Sequence, residues 1–172
     1  KVFLDDYTYL VQLMINFYEI TGEINYLDSA KKIAQDTWDL FYDKENKILQ
    51  KNPIKQNDLF VPPLDVNDSN IPNGNSIFLL NCKKLQAITN ETKWQNMVKE
   101  LTQSFHSFLN LQSTQMVSFI KNLDICEEFT TFTFFGDVKK IKELQQYVKK
   151  NYLKSSTLIY KENSKESYLV VC

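Results

Sequence analysis

An internal repeat limits what this sequence can fold into more than any other feature. At Ile20-Thr21-Gly22-Glu23 an apolar periodicity stops and restarts, and 68 positions later Ile88-Thr89-Asn90-Glu91 does the same. The correspondence continues with Tyr26 and Trp94, Ala30 and Val98, Ile33 and Leu101. Before the first stop, Leu4, Tyr7, Leu10, Val11, Met14, Phe17 and Tyr18 follow the three-and-four spacing of one helix face. Tyr9, Leu13 and Ile20 add apolar character on other faces, as expected of an inner helix packed on more than one side. After the stop, Tyr26, Leu27, Ala30, Ile33, Ala34, Trp38 and Phe41 define a second helix from about Tyr26 to Tyr42. Glycine and asparagine are the residues that best tolerate the left-handed conformation closing a helix C-terminus, so Gly22 and Asn90 read as equivalent caps. Connections this short force antiparallel hairpins.

The second hairpin is expected from about Ser76 to Thr89 and from about Lys93 to Leu111, with Trp94, Met97, Val98, Leu101, Phe105 and Phe108 inward. Hairpins that each leave one face bare are stacking units. The expected fold is therefore mainly α, with repeated αα-hairpins forming part of an α/α toroid or solenoid; an ordinary four-helix bundle is the alternative. A fifth helix is placed over Thr114 to Leu123. Beyond it the texture changes. Phe129 to Phe135 is β-branched and aromatic, Gly136 and Asp137 lead into a lysine-rich helix reaching about Asn151, and Thr157–Tyr160 and Tyr168–Val171 read as short strands. Residues 1–127 thus form a hairpin region and 128–172 a small α/β tail with one crossover helix. An amphipathic pattern at the first residues and an apolar run at the last ones fit a piece of a longer protein. The 172 residues, 43% apolar, suffice for a buried core.

Charge narrows the function classes. The net charge is −1 and every basic side chain is lysine, so no overall basic field draws in nucleic acid or an anionic membrane, and no guanidinium fork grips phosphate. No apolar run approaches the ~20 residues of a membrane-spanning helix. Cys82, Cys126 and Cys172 lie too far apart for a redox pair or a zinc site, and His106 has no second histidine near it, so neither metal nor cofactor is expected. Reduced thiols point to a cytoplasmic location.

The connection from Asp43 to Asn75 is far longer than compact domains use, and its second half is crowded with carboxylates and amides. Antiparallel hairpins bring the starts of the first and third helices to one rim, so Asp6 and Tyr7 are expected beside Asp65, Asp68, Asn73, Gly74, Asn75 and Ser76. A carboxylate pair of Asp6 with Asp65 or Asp68 has the chemistry for acid–base work on a glycosidic bond, the other residues contributing ligand contacts. The competing reading is structural, because Asp, Asn and Ser are also the residues that cap helices and fix turns. A calcium loop starting at Asp65 fails, since its sixth position is Asn70 and its twelfth Ser76.

Phe3-Leu4-Asp5-Asp6-Tyr7, Leu10, Tyr18-Glu19, Thr21-Gly22, Tyr26-Leu27 and Ala30, with Asp68 and Pro72 to Ser76, resemble the C-terminal half of the spermatogenesis-associated thioredoxin-like family. The similarity covers residues 1–111 well and the tail more loosely. It implies an α/α toroid related to six-hairpin glycosidases and N-acylglucosamine 2-epimerases, preceded by a thioredoxin-like domain of the same parent chain. It carries the family's Asp-Tyr onto Asp6 and Tyr7 and its Pro-Ser-Gly-Asn-Ser loop onto Pro72 to Ser76, with Asn73 in place of serine and Ser69-Asn70 in place of a Gly-Ala pair. Two functions follow as expectations. One is a wall of a carbohydrate-type pocket in a thioredoxin-domain-containing protein, glycosidase- or epimerase-like only when completed by the parent. The other is a non-catalytic helical interaction domain for a thioredoxin-like partner. Apolar faces left bare by absent hairpins would also let the chain associate with itself.

Overall fold

The computed structural model describes residues 2–54, 66–136, 141–151, 156–161 and 168–172. Four helices form two antiparallel hairpins, α1 (Leu4–Thr21) with α2 (Ile24–Phe41) and α3 (Gly74–Thr89) with α4 (Thr92–Gln112). The two turns repeat each other bond for bond. Gly22 and Asn90 are left-handed at φ 76° and 57°, and their N–H groups donate to Tyr18 O and Gln86 O at 2.8 Å each. Thr21 and Thr89 hydroxyls bond back to Phe17 O and Leu85 O and accept from Glu23 N and Glu91 N. The next helix opens alike in both, with Tyr26 N donating to Glu23 O and Trp94 N to Glu91 O.

α1 and α3 pack against each other, and the core between the hairpins holds Val11, Ile15, Ala30, Ala34, Phe78, Leu85, Trp94 and Leu101. α1 buries Leu4, Thr8, Val11, Ile15, Tyr18 and Glu19. Leu10 and Phe17, expected on the buried face, are exposed instead. A helix apolar on two faces satisfies the spacing rule twice, and the spacing alone does not say which face meets the rest of the chain.

After α2, β1 (Tyr42–Asp43) and β2 (Ile48–Leu49) pair antiparallel across the turn Lys44–Lys47. The fifth helix, α5 (Val117–Glu127), starts three residues later than expected, behind a 3-10 turn at Ser113–Gln115. Met116 is buried at its N-cap position and its carbonyl accepts from Phe119 N and Ile120 N, which sets the start there. α3 opens two residues earlier than expected, because Asn73 caps it.

The tail is a three-stranded mixed sheet. β3 (Thr130–Phe135) lies between parallel β4 (Ser156–Lys161) and antiparallel β5 (Tyr168–Val171), with α6 (Lys142–Asn151) as the crossover. A buried polar cluster fixes the tail to the hairpins. Glu19, 6% exposed, accepts from Lys84 Nζ at 2.9 and 3.0 Å and from Thr157 Oγ1 at 2.6 Å. The carbonyls at the end of α1 accept from Gln145 Nε2 and Tyr160 Oη, and the Tyr160 ring lies against Gly22, where a Cβ would come within 3.3 Å. Among the described residues no helix is long and apolar enough to cross a membrane.

Candidate functional site

The starts of α1 and α3 meet at one end of the hairpins. At the starts of α1 and α3 the backbones approach so closely that a Cβ on Gly74 would stand 2.7 Å from Asp5 Oδ1 and 2.9 Å from Leu4 Cγ. Leu4 N donates to Lys51 O, and Tyr9 Oη donates to Pro72 O, which ties α1 to both ends of the long connection.

Asp68 stands at the centre of this rim. Its Oδ2 accepts from Ser118 N at 2.7 Å, and its Oδ1 accepts from Asn73 N at 2.9 Å and from the Ser118 hydroxyl. Ser118 N is one of the first-turn donors of α5 that have no partner within the helix. Asp68 therefore acts as a remote cap, placing negative charge at the positive end of α5 while holding the turn before α3. Asn73 Oδ1 accepts from Asn75 N at 2.9 Å as the N-cap of α3, and its Nδ2 donates to Asn67 O.

Asn75, fully buried, faces the β2 backbone. Its Oδ1 accepts from Leu49 N and its Nδ2 donates to Leu49 O, both at 2.9 Å, so the amide stands where a further strand would. Ser76, also fully buried, accepts at its carbonyl and hydroxyl from Asn122 Nδ2 of α5. Tyr7 is half-buried and meets the Phe41 ring edge-on at 5.5 Å. Asp6 is exposed on α1, and Asp65 lies outside the described residues. The arrangement joins four helix and strand ends through carboxylate and amide bonds.

Sequence reasoning had Tyr9 only as an apolar side chain. Its phenol is pushed above its ordinary value first by burial and then by the Asp5 and Asp68 carboxylates. Ser118 and Asn122, one helical turn apart on α5, were missed altogether. The remaining candidates stand apart: His106 is exposed on α4, and burial raises the Cys82 thiol well above its ordinary value. Among the described residues no group of three metal-ligating side chains occurs.

A second surface emerges from the repeat. Leu10, Leu13, Phe17 and Ile20 line one exposed stripe of α1, between 37% and 56% accessible. Their counterparts 68 residues on are Phe78, Asn81, Leu85 and Ile88 of α3. The first three are buried and Ile88 packs on the core. On α3 this stripe faces the preceding hairpin. Phe78 stacks toward Trp38 of α2 at 6.2 Å, and Asn81 Nδ2 donates to Thr8 O of α1 at 2.8 Å.

No protein-family model matches the chain, and neither does any curated protein. The family resemblance therefore rests on the residues quoted for it.

Proposed function

We propose that this chain is a non-catalytic helical-repeat module whose α1 stripe docks another αα-hairpin. The observation that carries the reading is the equivalence of Leu10, Leu13, Phe17 and Ile20 to α3 positions that face the hairpin before them. If the repeat continues, the hairpin covering α1 sits on it as α1 and α2 sit on α3. In the family that the chain resembles, that hairpin is the previous one of an α/α toroid in the same parent polypeptide, with the thioredoxin-like domain further toward the N-terminus.

The rim supports the non-catalytic side of this reading over a carbohydrate-type pocket. A glycosidase pair needs two carboxylates facing a shared space ~5–10 Å across. Asp68 accepts three hydrogen bonds that hold helix ends, and Asn73, Asn75 and Ser76 are occupied in the same way.

Two immobilised baits test the proposal: the helical region of a spermatogenesis-associated thioredoxin-like protein and its thioredoxin-like domain. Retention by the helical bait, lost in Leu13→Glu/Ile20→Glu, is the expected result. Retention by the thioredoxin-like domain alone, unaffected by these substitutions, would favour the partner-domain function instead. Hydrolysis of aryl glycosides that disappears in Asp68→Asn would contradict the non-catalytic reading.

A further inference from the structure

Away from the rim, the second helices of the two hairpins and the β1–β2 turn line an open groove of about 680 Å³. That is within the ~300–1,000 Å³ of small-molecule sites. Its floor is aromatic: the Trp38 and Tyr42 rings stack at 3.8 Å and 14°, and the Tyr42 hydroxyl donates to the Glu100 carboxylate. One wall is the polar face of α4, where Asn96, Lys99, Glu100 and Gln103 recur at three-and-four spacing. Opposite, the turn brings in Lys44 and Lys47.

Three lysines converge on this one groove, and two further features bear on its chemistry. Lys44, Lys47 and Lys99 form no ion pair among the described residues, and Glu100, which lines the same groove, accepts from the Tyr42 hydroxyl. Second, Lys47 is left-handed at φ 54°. The other described non-glycine residue with positive φ is the helix cap Asn90. A left-handed lysine carries a local backbone cost that glycine would not.

We propose that the groove binds a small phosphorylated anion, with Lys44, Lys47 and Lys99 neutralising phosphate oxygens above the Trp38–Tyr42 floor. Lysine ammoniums act here as point charges, suited to several phosphates at varied angles. The site is independent of the α1 stripe and of the rim.

Isothermal titration at low salt with tripolyphosphate and with ATP tests this. Both are expected to bind, and Lys44→Gln/Lys47→Gln/Lys99→Gln to weaken them about tenfold or more. The charge-matched triple Lys32→Gln/Lys121→Gln/Lys150→Gln, exposed lysines outside the groove, should leave affinity unchanged. Tighter binding of ATP than of tripolyphosphate would assign its ring to the aromatic floor, and equal binding would assign recognition to the phosphates. Lys47→Gly separates site from fold: it should raise Tm by relieving the turn while weakening the anion. No binding of either anion, equal weakening by the control triple, or unchanged affinity in Lys47→Gly would overturn the proposal.

Discussion

Asp68 and Asn75 show how a residue chosen for its chemistry comes to serve the backbone. A carboxylate and an amide are the side chains best able to meet several unpaired N–H and C=O groups at once. At this rim four chain ends converge and each brings such groups. Asn75→Ala leaves the Leu49 N–H and C=O without partners inside the core and should lower unfolding free energy by ~1–3 kcal/mol in urea melts. Asp68→Ala should cost ~1–2 kcal/mol through the lost cap of α5. Asp68→Asn should recover part of it, since one amide oxygen still accepts. The residue types, and the nearness of the segment before α3 to the start of α1, were legible in the sequence. What they bond to was not, because Leu49, Ser118 and Asn122 lie 26 to 50 positions away with no pattern linking them.

The hairpin turns were the most legible element. Glycine and asparagine at matched positions, each after threonine, specify a left-handed cap, and both caps form. They should respond oppositely to substitution. Gly22→Ala strains φ 76° and presses on the Tyr160 ring, lowering stability by ~1 kcal/mol or more. Asn90→Gly should be neutral or stabilising by a few tenths of a kcal/mol. Thermal melts of both variants read this directly. The α1 face was less legible, since its two apolar stripes obey the same period.

The β1–β2 hairpin carries a pH dependence. Burial disfavours the Asp43 charge, but hydrogen bonds from Asn46, Glu45 N and Gln50 outweigh it and hold the carboxyl below its ordinary value of 3.8. A lowered folded value means that the stabilisation is complete above the unfolded value and is lost as pH falls through the folded one. Stability should therefore fall below about pH 4, and less steeply in Asp43→Asn, as followed by urea midpoints across the acid range.

At the scale of the molecule, two hairpins with matched turns form a stack with one end open. α3 is covered by hairpin one on its stripe and by α5 through Ser76 and Asn122, whereas the matching stripe of α1 meets solvent. This exposed row of Leu, Leu, Phe and Ile along one helix is the surface on which the proposed docking rests. Among the described residues, β4 of the tail reaches α1 at its C-terminal end, through Glu19, Tyr18 and Gly22. The repeat that predicted the hairpins also predicts the partner's kind, because equivalent positions in a stack face equivalent neighbours.

Hydroxyl-radical footprinting of Leu10, Leu13, Phe17 and Ile20, in this chain alone and within a longer polypeptide that carries a preceding αα-hairpin, tests that claim most directly. The account predicts strong labelling of all four in the chain alone and protection of all four in the longer polypeptide, with exposed Val117 on α5 labelled equally in both. Equal labelling of the stripe in the two forms would contradict it.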